Sequence, residues 1–177
     1  MFETIVHQTL QNKNNNEEVE ANGPYPTTDL KNSFLGTGYY FWDYHIELAK
    51  FWGKVRCNNK YIICEGELKV DKNDFLDLVG SRADQIHFLN LVSTLKMQNQ
   101  SIGKTIEALK ALEKEQKGIF PYKVIRVMDS LPKKKFPQTQ HKFSNKENYS
   151  ILTPMYIICL LEKNKLILPT FKVIFSN

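Results

Sequence analysis

Cysteine is scarce. Three occur in 177 residues, at positions 57, 64 and 159, with no Cys-x-x-Cys pair and no Cys/His cluster at ligand spacing. A structural metal site and a disulfide framework therefore do not organise this chain. An odd count also suits a reducing compartment. Long apolar runs are missing too, and nothing approaches the roughly 20 residues that a membrane helix needs. The opening "MFETIVHQTL" has neither a basic start nor an extended apolar core, so no secretory leader is expected. The expectation is a cytoplasmic protein with no membrane association. No internal repeat is visible, which excludes solenoids and propellers.

What is present is ordinary for a globular domain. Hydrophobic residues make up 42% and charged residues 24%, with a net charge of +5 and a pI near 9.0. A mild positive balance is compatible with an anionic partner such as nucleic acid or a dinucleotide. The length suits one domain, 1–177. Residues 2–7 are β-branched and alternating, as in a strand. The polar stretch 12–28, rich in Asn with Gly and Pro, reads as a loop. "YYFW" at 39–42 predicts a short strand, after which Asp43 caps a helix with Ile46, Ala49 and Phe51 turned inward. Residues 60–70 predict another strand.

From 81 to 117 the period becomes helical. One helix is marked by Leu89, Val92, Leu95 and Met97. The next is marked by Ile102, Ile106, Leu109 and Leu112, with Gly118 as its stop. Residues 122–128 predict a strand, and 132–140 a basic loop. Residues 155–162 and 165–175 predict a closing strand pair across Lys163-Asn164, with Pro169 marking an edge or a bulge. Strands flanking a helical middle define an α+β class.

The stretch "LGTGYYFWDYHIELAKFWG", Leu35 to Gly53, concentrates the chemistry. Glycines let a backbone approach a ligand closely because no Cβ intrudes. The rings after them offer flat faces for a planar heterocycle. His7 and Thr9 on the first strand add an imidazole and a hydroxyl. Together these parts suit a nucleotide. The bland alternative is a turn leading into an aromatic core strand, with His7 a hydrogen-bonded structural histidine. Trp42 and Trp52 read as packing residues, and "PKKKF" as a solvated loop or a phosphate contact. Arg82 and Arg126 suit phosphate geometry, but nothing singles them out.

These segments resemble the ADP-ribosyltransferase superfamily, in its diphtheria-toxin-like and poly(ADP-ribose) polymerase-like branch. "VHQT" is similar to the strand-one His-Gly-Thr motif, with His7 and Thr9 in register and Gln8 where the family has glycine. "GTGYYFWD" is similar to the Gly-x-Gly-aromatic-Tyr-Phe motif, with Gly36, Gly38 and Tyr40 in register. Phe51, eleven positions after Tyr40, falls where the family has a tyrosine. The resemblance implies a split β-barrel of two small twisted sheets with a helical insertion at 81–117, and NAD as co-substrate in the cleft between the sheets. It implies that His7 holds the adenosine ribose, that the backbone at Gln8 pairs with the nicotinamide amide, and that Tyr40 and Phe51 sandwich the nicotinamide ring.

The family's third signature residue, a glutamate, falls near Met155 to Ile157, where no acid stands. That departure argues against polymer formation and leaves transfer of a single ADP-ribose. Glu65 and Glu67 lie two apart on a predicted strand, so both face one way. They resemble the paired acids of the cholera-toxin-like branch, but those come late in that fold. Glu147 and Glu162 are further neighbours of the late strand.

The implied activity is mono-ADP-ribosylation of a macromolecule, RNA or DNA slightly ahead of protein. The implied setting is a bacterial toxin of a toxin–antitoxin or phage-defence system, with an antitoxin protein as partner. Two rivals stand beside it. One is an inactive module of the same fold that binds NAD, ADP-ribose or a protein. The other is a basic RNA-binding domain whose rings stack bases.

Overall fold

The computed structural model describes residues 1–27, 33–129, 140–142, 149–151 and 153–177. In chain order the strands are β1 (Phe2–Gln11), β2 (Tyr39–Asp43), β3 (Tyr61–Val70), β4 (Phe75–Asp77), β5 (Val124–Met128), β6 (Gln140–Lys142), β7 (Tyr149–Ile151), β8 (Tyr156–Leu160) and β9 (Lys172–Ser176). The helices are α1 (Asn16–Asn22), α2 (Ile46–Arg56), α3 (Arg82–Thr94) and α4 (Ile102–Glu115). Seven strands form one mixed sheet in the order β4-β5-β8-β2-β1-β3-β9, and β6 and β7 pair as a separate ribbon. Only β4 and β5 run parallel within the large sheet. The α+β class therefore holds.

The expected two small sheets are instead one hydrogen-bonded sheet, and it does not close into a barrel. It does contain a seam. β1 and β3 pair along ten residues each, from Phe2↔Val70 to Gln11↔Tyr61. β1 and β2 pair only at Val6↔Asp43 and His7↔Trp42. Beyond His7 the four-strand half β4-β5-β8-β2 and the three-strand half β1-β3-β9 part. Residues 25–27 enter the opening, where Thr27 bridges Gly38.

Strand alternation sorts the core into two faces. Trp42, Tyr61, Ile63, Ile125, Val127, Ile157 and Cys159 turn to the face covered by α2, α3 and α4, where Leu48, Phe88, Ile106 and Leu109 meet them. Val6, Phe41, Leu68, Val124, Ile158 and Leu160 turn the other way, against Ile167 and Leu168. On that side α1 lays Val19 over Ile62 and Cys64.

Several local expectations change. The loop 12–28 contains α1, an acidic-first-turn helix with one buried residue. Asp43 does not cap α2. It ends β2, and His45 caps the helix by accepting the Leu48 N–H at 3.3 Å. Leu89 is 65% exposed, and Phe88 is the buried residue of α3. The second helix lies as expected, and Gly118 beyond it has φ +92°.

Residues 155–162 and 165–175 do not form a hairpin. β8 lies between β5 and β2, whereas β9 lies on the far edge beside β3. Ile167 and Leu168 are core residues of a crossing segment, and Pro169 lies in that segment, outside the ladder. Most of the basic stretch 132–140, and Glu147, lie outside the described residues.

Candidate functional site

The glycine stretch is built by close packing. Gly36 adopts φ +83°, a conformation that favours glycine. A Cβ there would meet Glu107, and one on Gly38 would lie 2.5 Å from Cys159 Sγ and 2.7 Å from the Leu160 carbonyl oxygen. The loop is gripped by α4. Glu107 Oε1 accepts from the Thr37 N–H at 2.6 Å and from the Thr37 hydroxyl at 2.7 Å. Lys110 donates to the Thr37 carbonyl and to Glu107, both at 3.0 Å. Burial pushes the Glu107 carboxyl up, but these hydrogen bonds outweigh it and hold it below the usual carboxylate range. α4 comes this close because Gly103 has no side chain to strike the loop backbone at Ser33, Phe34 and Gly36.

Tyr40 follows the loop on β2. Its hydroxyl accepts from the Leu35 N–H at 2.7 Å and donates to the Gly36 carbonyl at 2.6 Å. Burial pushes its pKa up, so this is a neutral phenol locked to the loop that precedes it. On the opposite bank of the seam the Thr9 hydroxyl donates to the Ala49 carbonyl of α2 at 2.8 Å. Gln8 faces the other way. Its amide nitrogen donates to the Tyr25 carbonyl at 2.9 Å and the Tyr40 carbonyl at 3.3 Å, and its amide oxygen accepts from Tyr25 N–H at 3.0 Å. Gln8 thus fastens the inserted residues across the seam.

The ladder also fixes where backbone groups point. The Ile5 carbonyl accepts from Tyr44 N–H, so by alternation Ile5, His7 and Thr9 turn their backbone groups toward the seam, while Val6 and Gln8 turn theirs to β3. The backbone contact expected at Gln8 is therefore directed into the sheet, and Gln8 meets the seam through its side chain.

His7 lies in a cross-sheet row. Trp42 and Ile157 follow on one side, and Glu65 and Lys172 on the other. His7 is 5% exposed, and its Nε2 lies 3.1 Å from Glu65 Oε2. Burial lowers its pKa, against the opposing hydrogen bond and charge of Glu65. His45 is lowered as well, chiefly by burial, and feels the charge of His7. Glu67 is paired with Lys69 at 3.5 Å. Among the described residues no group of three His, Cys, Asp or Glu side chains is disposed to hold a metal ion.

Of the pair expected to sandwich the nicotinamide ring, Tyr40 lies on β2 and Phe51 on α2. Leu48, Ala49 and Gly53 are the buried residues of α2, with Gly53 closing on the Tyr61 ring. Phe51, half-buried, follows Leu48 by three positions and lies beside it on the helix surface. The α2 ring that reaches β2 is Trp52, edge-on to Trp42 at 6.0 Å between centroids.

Sequence reading missed three contributors: Glu65 as His7's partner, His45 as a cap, and the Glu107–Lys110 grip. Only the β1–β3 register reveals the first, since it alone sets Glu65 opposite His7. An open concavity of about 660 Å³ lined by Asn12, Asn14, Asn15, Asn16, Glu17, Glu18 and Ser176 includes none of the motif residues.

Arg126, offered from sequence as a phosphate ligand, is committed inside the protein. Its Nε lies 2.7 Å from Asp43 Oδ2 and its Nη1 lies 3.5 Å from Asp77 Oδ2. Its guanidinium lies over the rings of Tyr156 and Phe2. Among the described residues no helix is long and apolar enough to cross a membrane. Comparison with family models, with curated proteins and with solved structures gave no match.

Proposed function

We propose that this protein is an NAD-dependent mono-ADP-ribosyltransferase that acts on a macromolecule, with nucleic acid preferred over protein as target. The observation that carries the reading is convergence. Two of the segments behind the resemblance, which begin at Val6 and Gly36, and the place of the family's third signature residue near Met155 lie far apart in the chain. They lie on β1, on β2 with its preceding loop, and on β8 with the residue before it, three adjacent strands of one sheet. His7, Trp42 and Ile157 share a row at the point where the halves part.

In this reading NAD lies along the seam with its adenosine ribose at His7. The Leu35–Tyr40 loop borders the nicotinamide end, and the target supplies the attacking atom. The protein's part is positioning and electrostatic stabilisation as the glycosidic bond loosens. The +5 net charge favours an RNA or DNA target. A toxin held by an antitoxin protein fits the same chemistry.

A second reading has its own support. Ile157 occupies the row where an acid would face His7 from β8, and Trp42 with Trp52 fills the space between β2 and α2. These features favour a module that binds NAD or ADP-ribose without transfer.

Incubation with NAD labelled on the adenylate part, in cell lysate, separates the two. Label attached to macromolecules and lost in His7→Ala and Tyr40→Ala is the expected result. Sensitivity of that label to nuclease or to protease names the target class. Binding of ADP-ribose with neither label nor released nicotinamide would leave the binding module.

A further inference from the structure

Glu65 was not required by the resemblance, yet it is the side chain that touches His7. The two are directly opposed on β1 and β3 and share a sheet face. His7 Nε2 stands 3.1 Å from Glu65 Oε2, with the histidine side chain 7% exposed and the glutamate 41% exposed. A carboxylate only accepts, so the proton between them belongs to Nε2. A neutral imidazole carries one such proton, and Nδ1 is then a bare lone pair. Among the described residues Nδ1 is buried and has no hydrogen-bond partner. A buried acceptor left in that condition costs stability unless something donates to it.

We infer that Glu65 is the positioning carboxylate of this site, fixing His7 as the Nε2–H tautomer so that Nδ1 is presented as an acceptor for a ligand hydroxyl. The identity of that hydroxyl, a ribose hydroxyl of NAD or ADP-ribose, rests on the function proposed above. The tautomer does not. Glu67 cannot substitute, because it stands opposite Ile5 and pairs with Lys69. Among the described residues, neighbouring titratable and charged groups include His45 at the start of α2, whose Nδ1 accepts the Leu48 N–H, and Lys172, opposite Glu65 in the β3–β9 ladder.

The test reads the imidazole directly. Nitrogen-15 spectra of the four histidines are recorded on the full chain, and the His7 signal is assigned by its loss in His7→Gln. The expected spectrum has Nε2 protonated and Nδ1 bare in the wild type. In Glu65→Ala the two tautomers mix, and in Glu65→Gln, whose amide oxygen can still accept, the Nε2–H form is largely retained. ADP-ribose affinity, measured by calorimetry, falls about tenfold in Glu65→Ala and recovers in Glu65→Gln. A wild-type His7 protonated on Nδ1, or a tautomer unmoved by Glu65→Ala, overturns the inference. A Glu65-dependent tautomer in a chain that binds neither NAD nor ADP-ribose supports the positioning role and overturns the transferase reading instead.

Discussion

Tyr40 shows how one residue type serves two readings. The motif position predicts a ring for nicotinamide, whereas the structure spends its hydroxyl on Leu35 and Gly36. Tyr40→Phe keeps the ring and removes both hydrogen bonds. It is expected to lower stability by about 1–2 kcal/mol in urea unfolding while leaving NAD binding unchanged, because the ring remains. Gly38 is a sharper case. Gly38→Ala drives a Cβ against Cys159 and Leu160, and a loss of about 2 kcal/mol is expected by the same measurement, with an unaltered denaturant slope.

The histidines carry a pH signature. Burial lowers the pKa of His7 and of His45 below 6.5, so the unfolded chain takes up protons first as pH falls. Stability is therefore full above about pH 6.5 and declines on acidification until the folded pKa is passed. The acid limb of a melting-temperature profile is expected to flatten in His7→Gln. A profile as steep as wild type would mean that His7 is accessible to protons in the folded protein.

Among elements, those with a strong period were legible. β3 and α4 were predicted nearly to their ends because both carry an apolar pattern that burial enforces, as at Ile106 and Leu109. α1 was not, since a short polar helix with Val19 as its one buried residue leaves almost no periodic signal. The 165–175 segment misled for the opposite reason. Its apolar residues Ile167 and Leu168 are buried as loop residues, and composition alone does not separate a core loop from a strand. The site divides likewise. Motif spacing marked His7 and Tyr40, but Glu65 and Glu107 act through register and helix packing, which spacing does not encode.

The α4 grip yields its own prediction. Glu107 is held below the usual carboxylate range, so its stabilising contribution is present above that range and is lost as pH falls through the folded value. Glu107→Gln should lower stability at neutral pH, remove this part of the acid-dependent loss, and raise hydrogen-exchange rates at Thr37, whose N–H it accepts.

For the whole molecule, the β4-β5-β8-β2 half meets the β1-β3-β9 half through few bonds. One of them is Asp43, which is 5% exposed in its side chain, accepts from the Thr4 hydroxyl at 2.7 Å and pairs with Arg126. Asp43→Ala leaves Arg126 with the longer Asp77 contact as its remaining ion pair, and a cost of about 3 kcal/mol is expected in thermal or urea unfolding. The same substitution loosens β1 from β2, so exchange should quicken at Tyr44 N–H, which donates to Ile5 across that boundary.

The seam has a mechanical consequence. A plate joined along two residue pairs bends most easily at that line, while the ten-residue ladder beside it stays stiff. A rocking of four strands against three about the His7–Trp42 pair is then the deformation expected to break the fewest ladder bonds of the sheet. A molecule spanning the opening would act as a strut, and the fastest backbone exchange on either bank would slow together when it binds.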